Sequence, residues 1–519
     1  MKTIALACAC SLGLAGWAVA RSTSEAAPPL RISETDLRAR LEIVANDSMQ
    51  GRMTGSRSLE RLATYFVNEL SRIGSSPAGD SAGYLQTVPI TRWQMDARAT
   101  TAKINRQTLH YGVDFLPLTG AFGLDAARSA RVSERDKIMG GRLGTTRVID
   151  PALAAGKVTI FYPPLRANGQ PDYQLWSVRD QLQKYRASSA IVIASLDLTP
   201  QAFRDRLSDP QFALMDDEVA GPRMPPMFIF GYTWEDWVQT GPLQIVRDEP
   251  RVVPNSDAEL SFESRNLGLE APARNVVARF EGSDPRLKSQ YVVLSAHMDH
   301  LGIAPTAERV GTDSIYNGAD DSGTGSVALL AIAEALQSLR VKPKRSIVLL
   351  WTTGEEQGFL GSAYFANHPT VPRENIVANL TIDMIGRGGS ADVTGGSPSY
   401  LELHGTRRGS SALRAQIADV NARPGHGFQF NRDIERTELP DSLRCSGDDW
   451  QFARWGIPSL RVSTGQSPDF HRVTDEASKI DFAKFAKVTE FIMAVAIHVA
   501  DQPERPPALI ADPRRICAR

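Results

Sequence analysis

Residues 346–356 read SIVLLWTTGEE, an unbroken apolar run that ends abruptly in two glutamates. A second run, YVVLSAHMDH at 291–300, has the same form and ends in a histidine, an aspartate and a further histidine. Such runs are typical of strands that are buried on both faces of a sheet, because an exposed face would show alternating polar residues. The polar residues after each run are therefore expected at the carboxyl ends of buried strands.

Strand patterns and helix patterns alternate around these two runs. Further strand patterns lie at ENIVANLTIDMIG (374–386) and GIPSLRVSTG (456–465). The helix patterns between and after them are SVALLAIAEALQSL (326–339), GFLGSAYFAN (358–367), SSALRAQIADVNAR (410–423) and KIDFAKFAKVTEFIMAVAIHVAD (479–501). This alternation predicts an α/β fold with a mixed, largely parallel central sheet and helices on both faces.

The length of 519 residues predicts more than one folded unit. Residues 116–268 have a different texture, with short apolar runs between turn signals, and this texture predicts an inserted strand-rich α+β domain. The predicted boundaries are a signal peptide at 1–20, an N-terminal part of the main domain at 21–115, the insert at 116–268, the rest of the main domain at 269–501 and a C-terminal tail at 502–519.

The predicted signal peptide begins with a charged Lys2, continues with an apolar stretch of small residues and ends in AVA at 18–20. This pattern is typical of a secretory signal that is removed, and the apolar stretch is too short for a stable membrane span. A lipid anchor at Cys8 or Cys10 is an alternative, although alanine stands where a bulky aliphatic residue is expected three positions earlier. We therefore expect an exported protein in the periplasm or outside the cell.

The remaining composition excludes some classes of partner. Lys and Arg number 58 against 59 Asp and Glu, and this balance gives no indication of a nucleic-acid partner. Without the signal peptide two cysteines remain, Cys445 and Cys517. An oxidising compartment would allow them to pair, but the sequence does not test the geometry, so a disulfide and two free thiols both stay open. The composition does not indicate an oligomeric state.

Five candidate metal ligands share a position near the ends of predicted strands or in short polar motifs. They are His297 in SAHMDH, Asp321 in NGADDSGTG, Glu356 in TTGEEQG, Asp383 in TIDMIG and His471 in DFHRVTDE. All except Asp321 follow a predicted strand, and ligand sites of open α/β sheets form at the carboxyl ends of strands. Two imidazoles and three carboxylates suit two zinc ions when one carboxylate bridges them. The sequence therefore predicts a metallohydrolase.

Glu355 adds a carboxylate that this ligand set does not require, so it is a candidate general base for a metal-bound water. Each motif alone has a structural explanation: a His-x-Asp pair can be an ordinary hydrogen-bonded pair, and Gly-Glu-Glu can be the charged first turn of a helix. The prediction depends on all of the motifs occurring together at strand ends.

Together these motifs resemble the secreted dinuclear-zinc aminopeptidases, a family related to bacterial leucyl aminopeptidases and glutamate carboxypeptidase. The resemblance runs from NVV at 275–277 to the C-terminal helix pattern, and GRMTGSRSLERLATYFVNEL at 51–70 is similar to the family's opening helices. Residues 116–268 resemble the protease-associated domain that many members insert, although that part of the resemblance is less specific.

The resemblance implies two zinc ions per chain and a role for each motif residue. His297, Asp321 and Asp383 would hold one ion, and Asp321, Glu356 and His471 the other. Asp321 is assigned the bridging position rather than Asp320, because it directly precedes the SGTG run at 322–325. Asp299 would orient the His297 ring, and Glu355 would shuttle the proton.

Two departures from the family pattern concern the substrate side. Phe470 stands where relatives often have a tyrosine whose hydroxyl supports the oxyanion, and phenylalanine has no such donor. The segment GDDWQFARWGIP (447–458) resembles a Ser-Asp-His segment in which Asp448 keeps its place, whereas Gly447 and Asp449 differ. We therefore expect Phe470 and Asp448 to line the substrate side of the site.

The resemblance favours an exopeptidase that removes N-terminal residues from peptide substrates. A carboxypeptidase or dipeptidase is the first alternative, because four arginines lie in loops from which they could bind an α-carboxylate: Arg387, Arg407, Arg408 and Arg444. A non-catalytic, receptor-like binding protein is a second alternative, which the complete set of ligands and Glu355 disfavours. A single-zinc glutaminyl cyclase would not need all five ligands.

Overall fold

The computed structural model describes residues 32–95, 264–405, 411–431 and 447–508, together with short segments between 101 and 261. Those segments are 101–104, 107–110, 114–118, 137–139, 158–161, 189–193, 210–215, 227–230, 251–252 and 258–261. The predicted signal peptide, most of the predicted tail, both mature cysteines and the three arginines at 407, 408 and 444 lie outside the described residues.

The described residues contain a central sheet of nine strands. In chain order these are β1 (Ser76–Pro77), β2 (Leu85–Thr87), β3 (Arg274–Phe280), β4 (Tyr291–His297), β5 (Ser346–Thr352), β6 (Ile376–Ile382), β7 (Tyr400–His404), β8 (Gln429–Asn431) and β9 (Ser459–Ser463). Their order across the sheet is β1-β3-β5-β4-β6-β9-β7-β8, and β2 also pairs with β3. β4, β5, β6 and β9 are mutually parallel. β3 runs antiparallel to its neighbours, whereas β7 runs antiparallel to β9 and parallel to β8.

The strand register brings the ends of the four parallel strands to one edge of the sheet. His297 pairs with Thr352 across β4 and β5, and Ile382 pairs with Val462 across β6 and β9. Residues that follow the ends of these four strands are therefore neighbours in space, although β4 and β9 are far apart in the sequence.

Seven helices are described in the chain. They are α1 (Glu34–Val44), α2 (Arg57–Ile73), α3 (Gly325–Ser338), α4 (Leu360–Asn367), α5 (Ser411–Asn421), α6 (Asp449–Ala453) and α7 (Phe482–Asp501). The ends of α2 follow from local chemistry: the Ser56 hydroxyl accepts the Leu59 N–H at 3.2 Å, and Gly74 ends the helix at φ 82°. Within the described residues no helix is both long and apolar enough to cross a membrane.

Side chains of the central strands alternate between two apolar layers. Val292 and Leu294 pack in the larger layer, which contains residues of α1, α2, α3, α5 and α7. Tyr291 and Val293 pack in the smaller layer on the opposite face, with Phe365 of α4 and Phe452 of α6. Both faces of β4 are therefore buried, which is why its sequence is an unbroken apolar run.

Most of the remaining described strands lie between residues 90 and 266. A six-stranded sheet has the order Arg251–Val252, Lys137–Met139, Val158–Phe161, Ser189–Ile193, Met227–Phe230, Phe115–Leu118. Two three-stranded sheets have the orders Gln211–Leu214, Ile90–Met95, Ser264–Asn266 and Ala258–Ser261, Thr101–Ile104, Gln107–Leu109. A two-stranded hairpin, Gly302–Ile303 with Ile315–Tyr316, follows β4.

The predicted fold class is confirmed: the central sheet is mixed, its middle is parallel, and helices cover both faces. Strands β1, β3, β7 and β8 were not predicted. β7 carries a buried Glu402 within YLELH, and β8 has only three residues, so neither shows the apolar run that marks the central strands. The domain boundaries remain a prediction.

Candidate metal centre

The candidate ligands lie at the edge of the sheet where the parallel strands end. His297 is the last residue of β4, Asp383 directly follows β6, and Glu356 lies on the turn after β5. His471 lies in the loop after β9, and Asp321 lies in the turn Ala319–Thr324 that leads into α3. The structure thus brings together all five residues from separate motifs.

Asp321 lies between the two imidazoles and directs one oxygen to each. His297 Nε2 is 3.1 Å from Asp321 Oδ1, and His471 Nε2 is 3.2 Å from Asp321 Oδ2. Asp383 Oδ1 lies 3.3 Å from the same His297 nitrogen, and Glu356 Oε2 lies 3.3 Å from the same His471 nitrogen. The centre therefore has two halves, each with one imidazole and one carboxylate of its own, which share Asp321.

The electrostatics of this cluster favour added positive charge. Burial lowers the pKa of His297, but Glu355, Asp321 and Asp383 outweigh this and hold it well above its usual value. Burial also lowers the pKa of His471, but its contacts with Asp321 and Glu356 outweigh burial and raise the pKa to about 10. Imidazole and carboxylate donors of this kind suit zinc. These residues would fit one metal ion in each half. The positive charge of each ion would replace that of the protonated imidazole in the same half.

Asp320 and Asp321 have different roles although they are adjacent. The Asp320 carboxylate points to another partner, accepting the Gly386 N–H at 2.7 Å and the Thr324 hydroxyl at 3.2 Å. Only Asp321 directs its carboxylate between His297 and His471. This arrangement agrees with the choice of Asp321 as the bridging candidate.

Asp299 contacts the His297 ring through its main-chain oxygen and not through its carboxylate. The ring Nδ1 lies 3.1 Å from the Asp299 main-chain oxygen. The Asp299 carboxylate instead accepts the main-chain N–H groups of Glu355 at 3.1 Å and Glu356 at 3.4 Å, and the Thr54 hydroxyl at 2.9 Å. The main chain turns directly after β4, so the carbonyl faces the ring while the side chain holds the turn after β5.

Glu355 is buried on that turn, on the side of the His297 half. Its carboxylate acts on the His297 imidazole and on the Arg461 guanidinium. Because its neighbour Glu356 supplies a candidate ligand, the turn directs two carboxylates into the centre from consecutive positions. Asp299 fixes both of their N–H groups, so the turn is held at the two residues on which the predicted chemistry depends.

Two residues inside the quoted motifs were not singled out from the sequence. His300, the last residue of SAHMDH, places Nδ1 2.8 Å from Glu356 Oε1. Asp475, in DFHRVTDE, accepts the main-chain N–H groups of Asp320 at 3.0 Å and of Asp321 at 3.1 Å. Their positions three residues after His297 and four after His471 were the available signal. His300 thus contacts the side chain of the candidate ligand Glu356, and Asp475 contacts the main chain of the candidate ligand Asp321.

Arg52 is a third residue that sequence reasoning missed. Its buried guanidinium donates to the main-chain oxygens of Met298 at 3.0 Å, Val44 at 3.2 Å and Gly318 at 3.0 Å, and it also contacts that of Asn317. Burial lowers its pKa to about 10, against the opposing effect of nearby carboxylates that include Asp321 and Asp475. A cation thus lies under the acidic centre and links the loops that carry His297 and Asp321.

The two predicted substrate-side residues lie in different environments. The half-buried Phe470 ring stacks on the His471 ring, with centroids 3.8 Å apart and planes inclined by 21°. Asp448 is buried, and its two oxygens accept the hydroxyls of Thr352 at 2.6 Å and Ser362 at 2.5 Å. The Asp448 carboxylate thus ties β5 to α4, and its place on the substrate side stays a prediction.

Among the four arginines considered as carboxylate binders, the structure describes Arg387. Its Nη1 lies 3.1 Å from Asp469 Oδ2, and its Nε donates to Asp392 Oδ1 at 3.1 Å. Two acidic partners thus hold this guanidinium already. An α-carboxylate would have to displace one of them in order to bind there.

Comparison with known proteins agrees with the fold and with a metallopeptidase. Residues 275–496 match the model of peptidase family M28. The chain is 35% identical over 192 residues to a probable leucine aminopeptidase 2 of Aspergillus oryzae, covering 37% of this chain and 33% of that protein. It is 24% identical over 264 residues to a probable zinc metalloprotease of Pyrenophora tritici-repentis, covering 45% and 52%. The chain thus spans about a third to a half of these relatives.

A solved structure extends the likeness to most of the chain. The aminopeptidase from Aneurinibacillus sp. strain AM-1 superposes with a TM-score of 0.52 at 15% identity, covering 92% of this chain and 95% of that one. At this level of identity the match concerns the fold. Every candidate ligand lies inside the segment that matches the family model.

Proposed function

We propose that this chain, of which residues 275–496 match the model of peptidase family M28, is an exported, zinc-dependent aminopeptidase that removes N-terminal residues from peptides. The observation that carries the proposal is Asp321, which offers one carboxylate oxygen to each of two imidazoles that lie in separate halves of the centre. Similarity to a leucine aminopeptidase and to a zinc metalloprotease supports the choice of reaction and metal.

In this proposal each candidate ligand has a defined task. His297 and Asp383 would hold one zinc ion, Glu356 and His471 would hold the other, and Asp321 would bind both. Zinc bound here supplies Lewis acidity, which acidifies water and polarises a peptide carbonyl. The geometry of the donors supports this ligand assignment, since each half presents an imidazole nitrogen and two carboxylate oxygens.

Glu355 carries the proton in the proposed reaction. Its carboxylate accepts a proton from water as the water oxygen forms a bond to the carbonyl carbon of the substrate. The same group then donates this proton to the leaving nitrogen as the carbon–nitrogen bond breaks. The N–H bonds from Glu355 and Glu356 to Asp299 hold the turn still during both transfers.

A carboxypeptidase or dipeptidase remains the second candidate within the same chemistry. The pairing of Arg387 with Asp392 and Asp469 favours the aminopeptidase, because a carboxypeptidase needs an arginine for the α-carboxylate of its substrate. A receptor-like protein without activity is disfavoured by the convergence of the five donors and Glu355.

Metal analysis with a paired substrate panel tests the proposal. We expect two zinc ions per chain, loss of activity with a strong chelator and recovery on adding zinc. Aminoacyl anilides should be cleaved, whereas the same compounds with an acetylated amine should not, and peptides blocked only at the carboxyl end should remain substrates. Cleavage that requires a free carboxyl terminus would favour the carboxypeptidase, and purified protein with only trace metal would contradict the metal centre.

The general-base assignment is tested by Glu355→Gln, with Glu281→Gln as a matched control. Glu281 follows β3 at the opposite edge of the sheet, where it pairs with Lys288 at 2.9 Å. We expect Glu355→Gln to keep both metals and lose about 10²–10⁴-fold in turnover, because an amide does not accept the proton of water. Glu281→Gln should match the unaltered protein. Normal turnover of Glu355→Gln would reject the role.

Export and domain organisation complete the proposal. The charged start, apolar stretch and AVA sequence at 18–20 support cleavage after residue 20, which N-terminal sequencing of the mature protein would test. We assign residues 116–268 as a protease-associated-like insert that limits the size of substrates. Deleting this insert should then widen the range of peptide lengths cleaved. An unchanged length profile would contradict that role.

A further inference from the structure

Arg461 places a buried guanidinium beside one of the proposed metal ligands. It lies on β9, and its Nη1 donates to Asp383 Oδ2 at 3.2 Å. The other oxygen of Asp383, Oδ1, lies 3.3 Å from His297 Nε2. The carboxylate of Asp383 is thus divided, with one oxygen on a cation of the protein and one oxygen directed into the His297 half of the centre.

The His471 half has a different arrangement. Glu356 directs Oε2 to His471 Nε2 at 3.3 Å, and its other oxygen meets His300 Nδ1 at 2.8 Å. An imidazole can donate a hydrogen bond as a neutral group, whereas a guanidinium is charged at every ordinary pH. The two halves therefore differ in the group that holds the outer oxygen of their own carboxylate.

The neighbours of Arg461 are arranged to accommodate it. A Cβ added to Gly447 would come within 2.9 Å of Arg461 Nη1 and 3.0 Å of Asp449 Oδ1, so a serine at this position would crowd the guanidinium. Asp449 supplies a buried carboxylate next to Arg461. Gly447 thus leaves room for the guanidinium, and Asp449 supplies a counter-charge for it.

The guanidinium is charged in this environment. Burial lowers the pKa of Arg461, but the carboxylates of Asp383, Asp449 and Glu355 outweigh burial and raise it above its ordinary value. Asp449 and Asp383 both interact with the positive charge of Arg461. Asp383 therefore attracts a metal ion less strongly than it would without Arg461. Coulomb repulsion between Arg461 and a divalent ion on Asp383 acts over a short path through the protein interior, where screening by water is weak.

We infer that Arg461 weakens metal binding in the His297 half relative to the His471 half, so that the two ions load in order and the His471 half fills first. The inference rests on the proposed function for the presence of two metal ions. It adds that Asp383 binds through Oδ1 alone, because Arg461 holds Oδ2. Arg461 acts through Asp383, so it is a positioning residue and not a catalytic one.

The test is a zinc titration against a chromophoric chelator, without substrate, on the full chain. The unaltered protein should bind in two resolved steps. His297→Gln should remove the weaker step, and His471→Gln should remove the tighter one. Arg461→Met combined with Asp449→Asn removes the cation and its counter-charge together, so the core gains no unpaired charge. This double variant should tighten the weaker step by about tenfold, which corresponds to about 1.4 kcal/mol of relieved Coulomb repulsion, and leave the tighter step unchanged.

Asp449→Asn alone is the matched control. It removes the balancing carboxylate but keeps the bond between Arg461 and Asp383, so it should weaken the weaker step further. Equal affinities of the two steps in the unaltered protein would overturn the inference, as would a double variant whose weaker step is unchanged or weaker. In those outcomes the proposed function stands if two zinc ions still bind. A protein that binds no zinc in any form would overturn both.

Discussion

Arg52→Met tests whether the cation under the centre balances the charge of the acidic ligands. Arg52 donates to the main-chain oxygens of Met298, Val44 and Gly318 at 3.0–3.2 Å, and the substitution leaves these buried carbonyls without the donor. Hydrogen bonds to charged groups contribute about 1.5–3 kcal/mol each and are not additive. Loss of one partner from a buried charged network typically costs about 3–5 kcal/mol. We expect a loss of that size in the unfolding free energy of the chelated protein.

The loss should be smaller when zinc is bound. Metal ions would neutralise the carboxylates of Asp321 and its neighbours, whereas in the chelated protein the guanidinium is a nearby source of positive charge for them. Urea unfolding with excess chelator and with saturating zinc measures both values on the same variant. The difference between the two losses reports the electrostatic part of the contribution of Arg52.

Arg345→Met is the matched control for this experiment. Arg345 is also fully buried, and it donates to Gln290 Oε1 at 2.8 Å and to the main-chain oxygens of Val499 and Ala500, each at 3.4 Å. Its variant should lose stability equally with chelator and with zinc. If Arg52→Met also loses stability equally in both conditions, or stays within about 1 kcal/mol of the unaltered protein, the charge-balance reasoning is refuted.

Three further predictions follow from contacts at the centre. Asp299→Asn should weaken zinc binding in the Glu356 half by about 10–100-fold, because the carboxylate holds the turn after β5 while the main-chain oxygen serves His297; a metal titration in which only the His297 half weakens would contradict this. Phe470→Tyr should keep the melting temperature and raise turnover on aminoacyl substrates, since the half-buried ring lies on His471 and its new hydroxyl would add an oxyanion donor; a lower melting temperature with unchanged turnover would reject that role. The chelated protein should be most stable between pH 4.5 and 6.5. The stabilisation from His471 is full below its ordinary pKa of 6.5 and is lost as the pH rises through about 10. The stabilisation from Glu356 is full above its ordinary pKa of 4.5 and is lost as the pH falls through about 2. Thermal melts of the chelated protein across this range should therefore decline on both sides, and a rise in stability from pH 6.5 to 10 would contradict the assignment of His471.

The sequence predicted the elements whose residues have one dominant physical constraint. β4 and β5 are buried on both faces, so hydrophobic burial alone determines their composition and makes them visible as unbroken apolar runs. The positions of the candidate ligands followed from the same pattern, because a polar residue directly after such a run lies at the carboxyl edge of the sheet. β7 escaped prediction because Glu402 is buried in it and held by Tyr400 and His404, which no local pattern reveals.

Only the tertiary structure decided which atoms meet. The sequence assigned Asp299 to the His297 ring, but the direction of the main chain after β4 turns the carbonyl to the ring and the carboxylate to the next turn. The contacts of Asp448 with Thr352 and Ser362 could not be read from its segment. Arg52 and Arg461 reach the centre from outside the ligand motifs. Residue type and strand pattern are local properties that can be read along the chain. These contacts depend instead on the direction of the backbone and on long side chains that cross between elements. The backbone direction and the side-chain positions are fixed only when the elements pack together.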